Sequence, residues 1–338
     1  MSTATNPSRA HTCIAATASY VPHARVRLDA ASDQRPAPPS SARETVMQTV
    51  YADTLRWCHD AMGTTPVDLP STPLHAASEP GLLLSEMASS VAREAIGRCP
   101  ANVNIAPDQV IVCATSLEQD YALSCAGRLH SELGSTGVPF AIGQLQGVSF
   151  FLALQMVSDM MARDNHVSCA LIVAAERWLP PFSRLARSVI TALGDGAAAV
   201  LVTAHTHPAW DVLSVNVRTP PVPIPPYDIG IDEGFVVEVI AQTCMQAGVT
   251  PGAIDWVVPP RIDATLARRI NVQARLSGQT WYPDQHDCGY LCAADAPAQL
   301  DALLHATIPA QGQLILLWSA GFQRQAGCAI LRYRGSQP

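Results

Sequence analysis

The sequence predicts a duplicated, layered α/β fold, and three observations carry that expectation. Short continuous apolar runs alternate with helix-period segments along the whole chain, the pattern of strands covered on both faces. The second half repeats the plan of the first: "NIAPDQVIVCATS" and "GVTPGAIDWVVPP" both run from a helix exit through Pro to an apolar strand, as a doubled unit does. The composition is core-rich, with 48% of 338 residues apolar and 14% charged, far from that of a disordered chain.

The elements follow in order. Residues 1–12 read as a flexible N-terminus, followed by two halves, 13–205 and 206–338. Cys13 to Val21 is a small β-compatible run stopped by Pro22. Ala31–Ser41 and Gly63–Gly81 are rich in Pro, Ser and Ala and read as irregular connections. Leu84, Met87, Ala88, Val91 and Ala95 recur at helical spacing and predict an amphipathic helix. Gln109–Ser116, Ala170–Ala175 and Ala197–Thr203 predict buried strands of the parallel type. Phe150–Met161, apolar almost all round, predicts a fully buried helix. In the second half, Trp210–Val217, Asp255–Val258, Gln313–Trp318 and Cys328–Arg332 predict strands. Phe235–Gly248 and Ala298–His305 predict helices. The Pro-rich Thr219–Pro226 near the join reads as an extended linker rather than a recognition motif.

Charge and composition exclude several functions. Formal charge is 21 − 28 = −7, and no stretch is dense in Arg, so nucleic acid is not expected as a partner. All 21 basic residues are Arg; without Lys, neither Schiff-base catalysis nor a Walker A loop is possible. No apolar run approaches the roughly 18 residues that span a bilayer, and Met1–Arg9 is polar, which points to a cytoplasmic protein. Ten Cys then read as free, mostly buried thiols. Gly194-Asp195-Gly196-x-x-Ala199 fits a loose dinucleotide fingerprint, but it leads into a strand where that motif opens a helix, so no cofactor is expected. Cys288, Cys292 and His286 offer three soft ligands where a structural zinc needs four, so no metal is expected either.

Several stretches together resemble one family, the β-ketoacyl-ACP synthase III enzymes of the thiolase-like superfamily. "ATASYVPHARV" is similar to the family's opening strand and Tyr-Leu-Pro turn, and "VIVCATSLEQDYALSCAGRLHSELG" to its strand followed by the Pro-Ser-Thr-Ala helix. "ALIVAAERW" resembles the Val-Val-Gly-Ala-Glu strand, "GDGAAAVLV" the Gly-Asp-Gly hairpin, and "SAGFQRQAGCAILRY" the closing glycine loop and last strand. The resemblance runs from about Cys13 to Arg334. It implies the thiolase-like duplicated α-β-α-β-α layered fold, and a Cys nucleophile at the start of a buried helix, where the helix dipole favours thiolate, with a His and an Asn from the second half promoting decarboxylation of a malonyl extender.

In this chain the matched positions hold other residues. The nucleophile falls on Gln146 in "FAIGQLQGVS", and a slip of one residue brings only Leu145 or Gly147. The His falls on Pro260 in "VVPPRIDATLARRI". Gly289 is kept in "CGYLCAADAP", but the Asn beside it is Tyr290. No His lies between His207 and His286, and no Asn follows Asn271. The glycine loop reads Gly321-Phe322-Gln323 where the family has three glycines, so the backbone donor of the oxyanion hole is crowded. Cys288, Cys292, His286 and Tyr290 are the candidate substitutes, set against a packing role.

The resemblance therefore implies three readings. The first is a triad-less, chain-length-factor-like subunit of an active ketosynthase. The second is an acyltransferase or condensing enzyme that moves an acyl group from CoA or ACP without a covalent intermediate. The third is a non-enzymatic binder of acyl groups or carrier protein. Partners expected are a homodimer or a heterodimer with an active ketosynthase paralogue, and possibly acyl carrier protein, with acyl-CoA or acyl-ACP as ligand. Arg184, Arg187, Arg268 and Arg269 are candidates for the basic rim such ligands need.

Overall fold

The computed structural model describes residues 12–28, 45–46, 49, 74–99, 106–118, 123–164, 166–179, 182–186, 191–204, 210–222, 229–282 and 286–335. The first half contains strands β1 (Cys13–Tyr20), β2 (Arg25–Leu28), β3 (Leu74–Ala77), β4 (Gln109–Ala114), β5 (Phe140–Gly143), β6 (Cys169–Glu176), β7 (Leu185–Ala186), β8 (Thr191–Ala192) and β9 (Gly196–Thr203). Helices α1 (Leu84–Gly97), α2 (Cys125–Leu133) and α3 (Val148–Arg163) lie among them. The second half contains β10 (Trp210–Arg218), α4 (Glu233–Ala247), β11 (Trp256–Val258), α5 (Ala264–Gln273), β12 (Gln279–Thr280), α6 (Asp295–Ala306), β13 (Leu314–Ala320) and β14 (Ala326–Tyr333).

Ten strands share one sheet in the order β12-β11-β13-β14-β10-β1-β9-β6-β4-β5. From the centre outward, β1-β9-β6-β4-β5 and β10-β14-β13-β11-β12 are the same path in chain order and direction. In each, the first two pairings are antiparallel and the last two parallel. The two copies meet where Cys13 pairs with Asp211 and Ile14 with Trp210, beside a bulge in β1. Helices repeat likewise. α1 packs on β9, β1 and β6, and α4 packs on β10 and β14. α3 reaches strands of both copies, as does α6, so these two form the middle layer of an α-β-α-β-α stack. The core divides accordingly into a central cluster around Phe150, Phe151, Leu300 and Leu317, and an outer cluster on each side. Each large apolar side chain buried in these clusters contributes about 1.5–3 kcal/mol.

Local chemistry sets the helix ends. Asp232 accepts the Phe235 N–H at 3.0 Å to cap α4, and Asp263 accepts the Thr265 and Leu266 N–H groups to cap α5; each replaces a partner that the first turn lacks. Gly248 ends α4 at φ 67°, the left-handed stop that glycine takes without penalty.

The structure corrects three expectations. The strands are mixed in direction. β9 is buried at all eight positions yet antiparallel to both neighbours, because its unbroken apolar run reflects cover by α1 on one face and α6 on the other, not strand direction. α3 is buried over its first turns but surfaces later, with Asp159 exposed and Met156 and Met160 half-buried. The end of the stretch Gly63–Gly81 is ordered: Leu74–Ala77 pairs with Arg25–Leu28 as the β2–β3 ribbon, a partnership too distant in sequence for a local pattern to reveal. Ala31–Ser41, residues 1–11 and most of the Pro-rich segment (223–226) lie outside the described residues. Among the described residues no helix is long and apolar enough to cross a membrane.

Candidate functional site

The chain leaves β5 through a tight turn and enters α3 at Gly147. Gln144 and Gln146 take left-handed φ values of 64° and 48°, a conformation that costs a residue with a Cβ about 1–2 kcal/mol. Such residues persist where their surroundings hold them, and here the restraint is visible. The Gln146 carboxamide oxygen accepts the Phe322 N–H at 3.0 Å. One residue on, the Gly147 N–H donates to the Tyr290 phenol oxygen at 3.0 Å, which itself lies 3.4 Å from Ser319 Oγ. The packing is so close that a Cβ on Gly147 would stand 2.2 Å from Ser319 Oγ and 2.6 Å from Tyr290 Oη.

Tyr290 is placed by backbone. Its N–H donates to Ala192 O at 2.7 Å and its carbonyl accepts the Gly194 N–H at 3.0 Å, after a turn in which Gly289 adopts φ 72°. The side chain is fully buried among Leu193, Ile262 and Cys292, with Trp178, Ile231 and Phe322 against them. Burial first, with the nearby Asp295 charge adding, pushes the phenol well above its ordinary range, so it remains protonated.

Pro260 is buried just after β11 and supplies neither proton nor acceptor at its ring. The polar work next to it passes to Arg261. Its Nε donates to Asp295 Oδ1 at 2.9 Å and its backbone N–H to Oδ2 at 3.0 Å. Nη1 of the same residue donates to Cys288 Sγ at 2.8 Å. Gln299 Nε2 also donates to Asp295 Oδ2, at 2.8 Å. Burial raises the Cys288 thiol above its usual range despite Arg261, and its S–H donates to Gly289 O at 3.4 Å. Cys292 is fully buried and raised well above that range by burial, with the Glu176 and Asp295 charges adding to the effect. Both candidate sulfurs are thus held as thiols, whereas a nucleophile needs thiolate. His286 opens the 3₁₀ turn His286–Cys288; its side chain lies outside the described residues. Two other imidazoles are engaged elsewhere: His130 with Ser135 and His305 with Asp301. Among the described residues no group of His, Cys, Asp and Glu could hold a metal.

Two buried carboxylates fasten the frame. Glu176 accepts N–H groups from Thr115, Ser116 and Ala293, tying the end of β4 to the start of α6; burial pushes its carboxyl up and these bonds oppose the shift. Asp195 accepts the Glu79 and Trp178 N–H groups and the Arg184 guanidinium. This corrects the expectation for Arg184. Its side chain is only 12% exposed and is further held by the carbonyls of Ala77, Leu193 and Trp178, so it braces a loop and forms no rim. Arg187 lies outside the described residues. Arg268 and Arg269 are exposed on α5, where Arg269 pairs with Glu233 at 2.7 Å. Sequence reasoning missed Ser319, Arg261 and Gln325; the first two meet Tyr290 and Cys288 from segments 29 and 27 residues away, beyond the reach of local spacing.

A doubled five-strand unit, a middle layer of two helices and a polar floor where the first of them begins define a thiolase-like protein. Residues 144–221 match the family described as 3-Oxoacyl-[acyl-carrier-protein (ACP)] synthase III, and residues 244–333 match its C-terminal part. A β-ketoacyl-[acyl-carrier-protein] synthase III of Bordetella petrii is 29% identical over 275 residues, covering 72% of this chain and 80% of that protein. Among solved structures, ChlB3, described as an acyltransferase, superposes with a TM-score of 0.70 at 20% identity, covering 96% of this chain and 98% of its own. 3-oxoacyl-(acyl carrier protein) synthase III of Pseudomonas aeruginosa PAO1 gives 0.65 at 16% identity, over 97% of this chain and 100% of that one. The chain is a β-ketoacyl-ACP synthase III-like protein, of a family that works in acyl-thioester biosynthesis.

Proposed function

We propose that this chain is a non-catalytic, chain-length-factor-like subunit that pairs with an active synthase III-like chain. The observation that carries the reading is Gln146, seated at the start of α3 with its carboxamide oxygen on the Phe322 N–H. A carboxamide cannot carry an acyl group as a thioester, and no described imidazole stands beside it. Pro260 and Tyr290 occupy the matched His and Asn positions, and loss of one member of a nucleophile–base unit typically removes about six orders of magnitude in turnover. The scaffold around the site is nevertheless intact.

Support for a partner comes from β5. It is the outermost strand of the sheet, it alternates half-buried and exposed residues, and Val138 just before it is 81% exposed. An apolar edge with no Lys or Glu along it is open to pairing with another strand. Exposed Arg268 gives such an assembly one cationic group to offer an acidic carrier protein or CoA.

Co-expression with a synthase III-like chain that keeps Cys, His and Asn tests the reading. The expected result is co-elution of the two chains, condensation by the pair, and none by this chain alone. Intact-mass measurement of this chain after incubation with acetyl-CoA is expected to show no adduct. Turnover of acyl thioesters by the isolated chain at about 1 s⁻¹ or faster, an ordinary enzyme rate, overturns it. An acyl adduct on Cys288 or Cys292 also overturns it, and points to an acyl transfer that runs through a covalent thioester on that Cys.

A further inference from the structure

We propose that the acyl site of this chain is filled by its own side chains: Tyr290 and Gln146 act as internal ligands on the two backbone N–H groups that face it. The inference rests on the proposed non-catalytic role and adds that this subunit does not hold the acyl chain in its resting state. The ligand class excluded is an acyl thioester or fatty carboxylate, which brings an oxygen acceptor on an apolar tail. Backbone N–H donors beside an apolar cluster suit that chemistry, and the cluster here is Leu193, Ile262, Ile231 and Trp178, packed around Tyr290 and Phe322.

Both donors already have partners. Gly147 N–H, at the positive end of a 16-residue helix, meets Tyr290 Oη at 3.0 Å. Phe322 N–H, from a different segment, meets Gln146 Oε1 at 3.0 Å. Space is closed as well. Neither Gly147 nor Gly321 has room for a methyl group, since a Cβ would come within 2.2 Å of Ser319 Oγ at the first and 2.6 Å of Gln325 Oε1 at the second. The Phe322 ring lies over Tyr290 with centroids 6.2 Å apart.

An independent feature marks the spot as a site and not simply as core. Gln325 is 9% exposed and its Oε1 is buried with no hydrogen-bond partner. This oxygen and Gln146 Oε1 both face the open side of Gly321, 2.6 and 3.4 Å from the position a Cβ would take. An unpartnered buried carboxamide is costly, and it is left beside the very group that fills the site. When Gln146 swings out, a ligand inherits the Phe322 N–H for its carbonyl, and Gln325 is at hand for the amide N–H that follows the thioester in CoA.

Titration of the purified protein with octanoyl-CoA, with CoA as control, tests the proposal by calorimetry. Gln146→Gly frees the Phe322 N–H and relieves the left-handed backbone; Tyr290→Phe frees the Gly147 N–H while keeping the ring. Each is expected to tighten octanoyl-CoA binding about fivefold, and the double variant about 25-fold, as one released hydrogen bond each, with CoA affinity unchanged. Should Tyr290→Phe fail to fold, Gln146→Gly at its half-exposed position decides alone. Folded variants that bind no tighter than the natural protein overturn the proposal, as does a natural protein that already binds octanoyl-CoA as tightly as the double variant. Binding by the natural protein as tight as that of the double variant, without an adduct, sinks self-occupancy only; turnover or an adduct sinks the non-catalytic role. The two failures are thereby distinguished.

Discussion

Gly147→Ala isolates how tightly the floor of the site is built. The backbone there, at φ −63° and ψ −14°, is right-handed, so alanine brings no dihedral strain and by reducing unfolded-state freedom would add about 0.4–1 kcal/mol of stability. The new methyl, however, arrives 2.2 Å from Ser319 Oγ, 2.6 Å from Tyr290 Oη and 3.1 Å from Ser319 Cβ, where ordinary contacts are about 3.5–4.0 Å. Ser319 is 1% exposed and Tyr290 0%, so neither can swing into solvent. Overpacking of this kind costs about 1–3 kcal/mol, and displacing the phenol forfeits the Gly147–Tyr290 bond, about 1 kcal/mol. The balance is a loss of about 2 kcal/mol, or about 3 °C in Tm for a chain of this length. Ser319→Ala removes the nearest atom, so Gly147→Ala in that background should lose about half as much, a coupling of about 1 kcal/mol in a double-mutant cycle. Differential scanning calorimetry of the four proteins measures both quantities. A Gly147→Ala protein that melts within about 1 °C of the natural one, with no coupling to Ser319, would falsify the closed-floor geometry.

Other outcomes follow from the same packing. Asp195→Asn leaves Arg177 and Arg184, with side chains 7% and 12% exposed, facing a neutral amide; removing one partner from a buried ion pair costs about 3–5 kcal/mol, readable by urea unfolding, and a loss below about 1 kcal/mol contradicts the bracing role. Gln146→Cys alone is expected to give no condensation of malonyl and acyl thioesters in a radiochemical assay, because Pro260 and Tyr290, which the resemblance aligns with the family's His and Asn, supply no base; turnover near the usual about 1 s⁻¹ would show that another base serves the site. Burial pushes the Cys125 and Cys169 thiols up to about 12 from 9.0. Their folded pKa is raised, so the stability they confer is complete below about pH 9 and is lost as pH climbs from 9 towards 12; unfolding midpoints measured from pH 8 to 11 should fall, and Cys169→Ala should flatten the fall. At pH 8 a thiol reagent should label these two far more slowly in the native protein than in urea, and equal rates would contradict their burial.

The strands and helices that pack on a continuous apolar face were readable from residues alone. The runs at Gln109, Ala170, Ala197, Gln313 and Cys328 became β4, β6, β9, β13 and β14 within two residues at each end, because a strand covered on both sides must be apolar at every position. Strand direction, the β2–β3 ribbon, α5 and the four-residue β5 were not readable. Direction is a property of connections, and short edge strands owe their form to distant partners. At the site, the resemblance placed Gln146, Tyr290 and the Phe322 loop, and the fold brings all three into contact. What it did not give was the bonding among them. Gln146 meets Phe322 across 176 residues and Tyr290 meets Gly147 across 143, separations at which no spacing rule operates. Arg184 was misplaced for the opposite reason, since an Arg in a loop sequence looks like a surface cation until a buried Asp195 turns it inward.

The doubled architecture has a consequence for how such a protein ages. Each copy feeds its middle helix through a cramped left-handed elbow, at Gln146 with φ 48° in one and at Cys292 with φ 43° in the other. Neither elbow bears the weight of the molecule: Phe150, Phe151 and Leu154 in one helix, and Leu300 and Leu303 in the other, are pressed between the strand layers whatever side chain stands at the bend. The side chain at either bend can therefore change, and the chemistry it supports with it, without loosening the frame that the helices wedge apart.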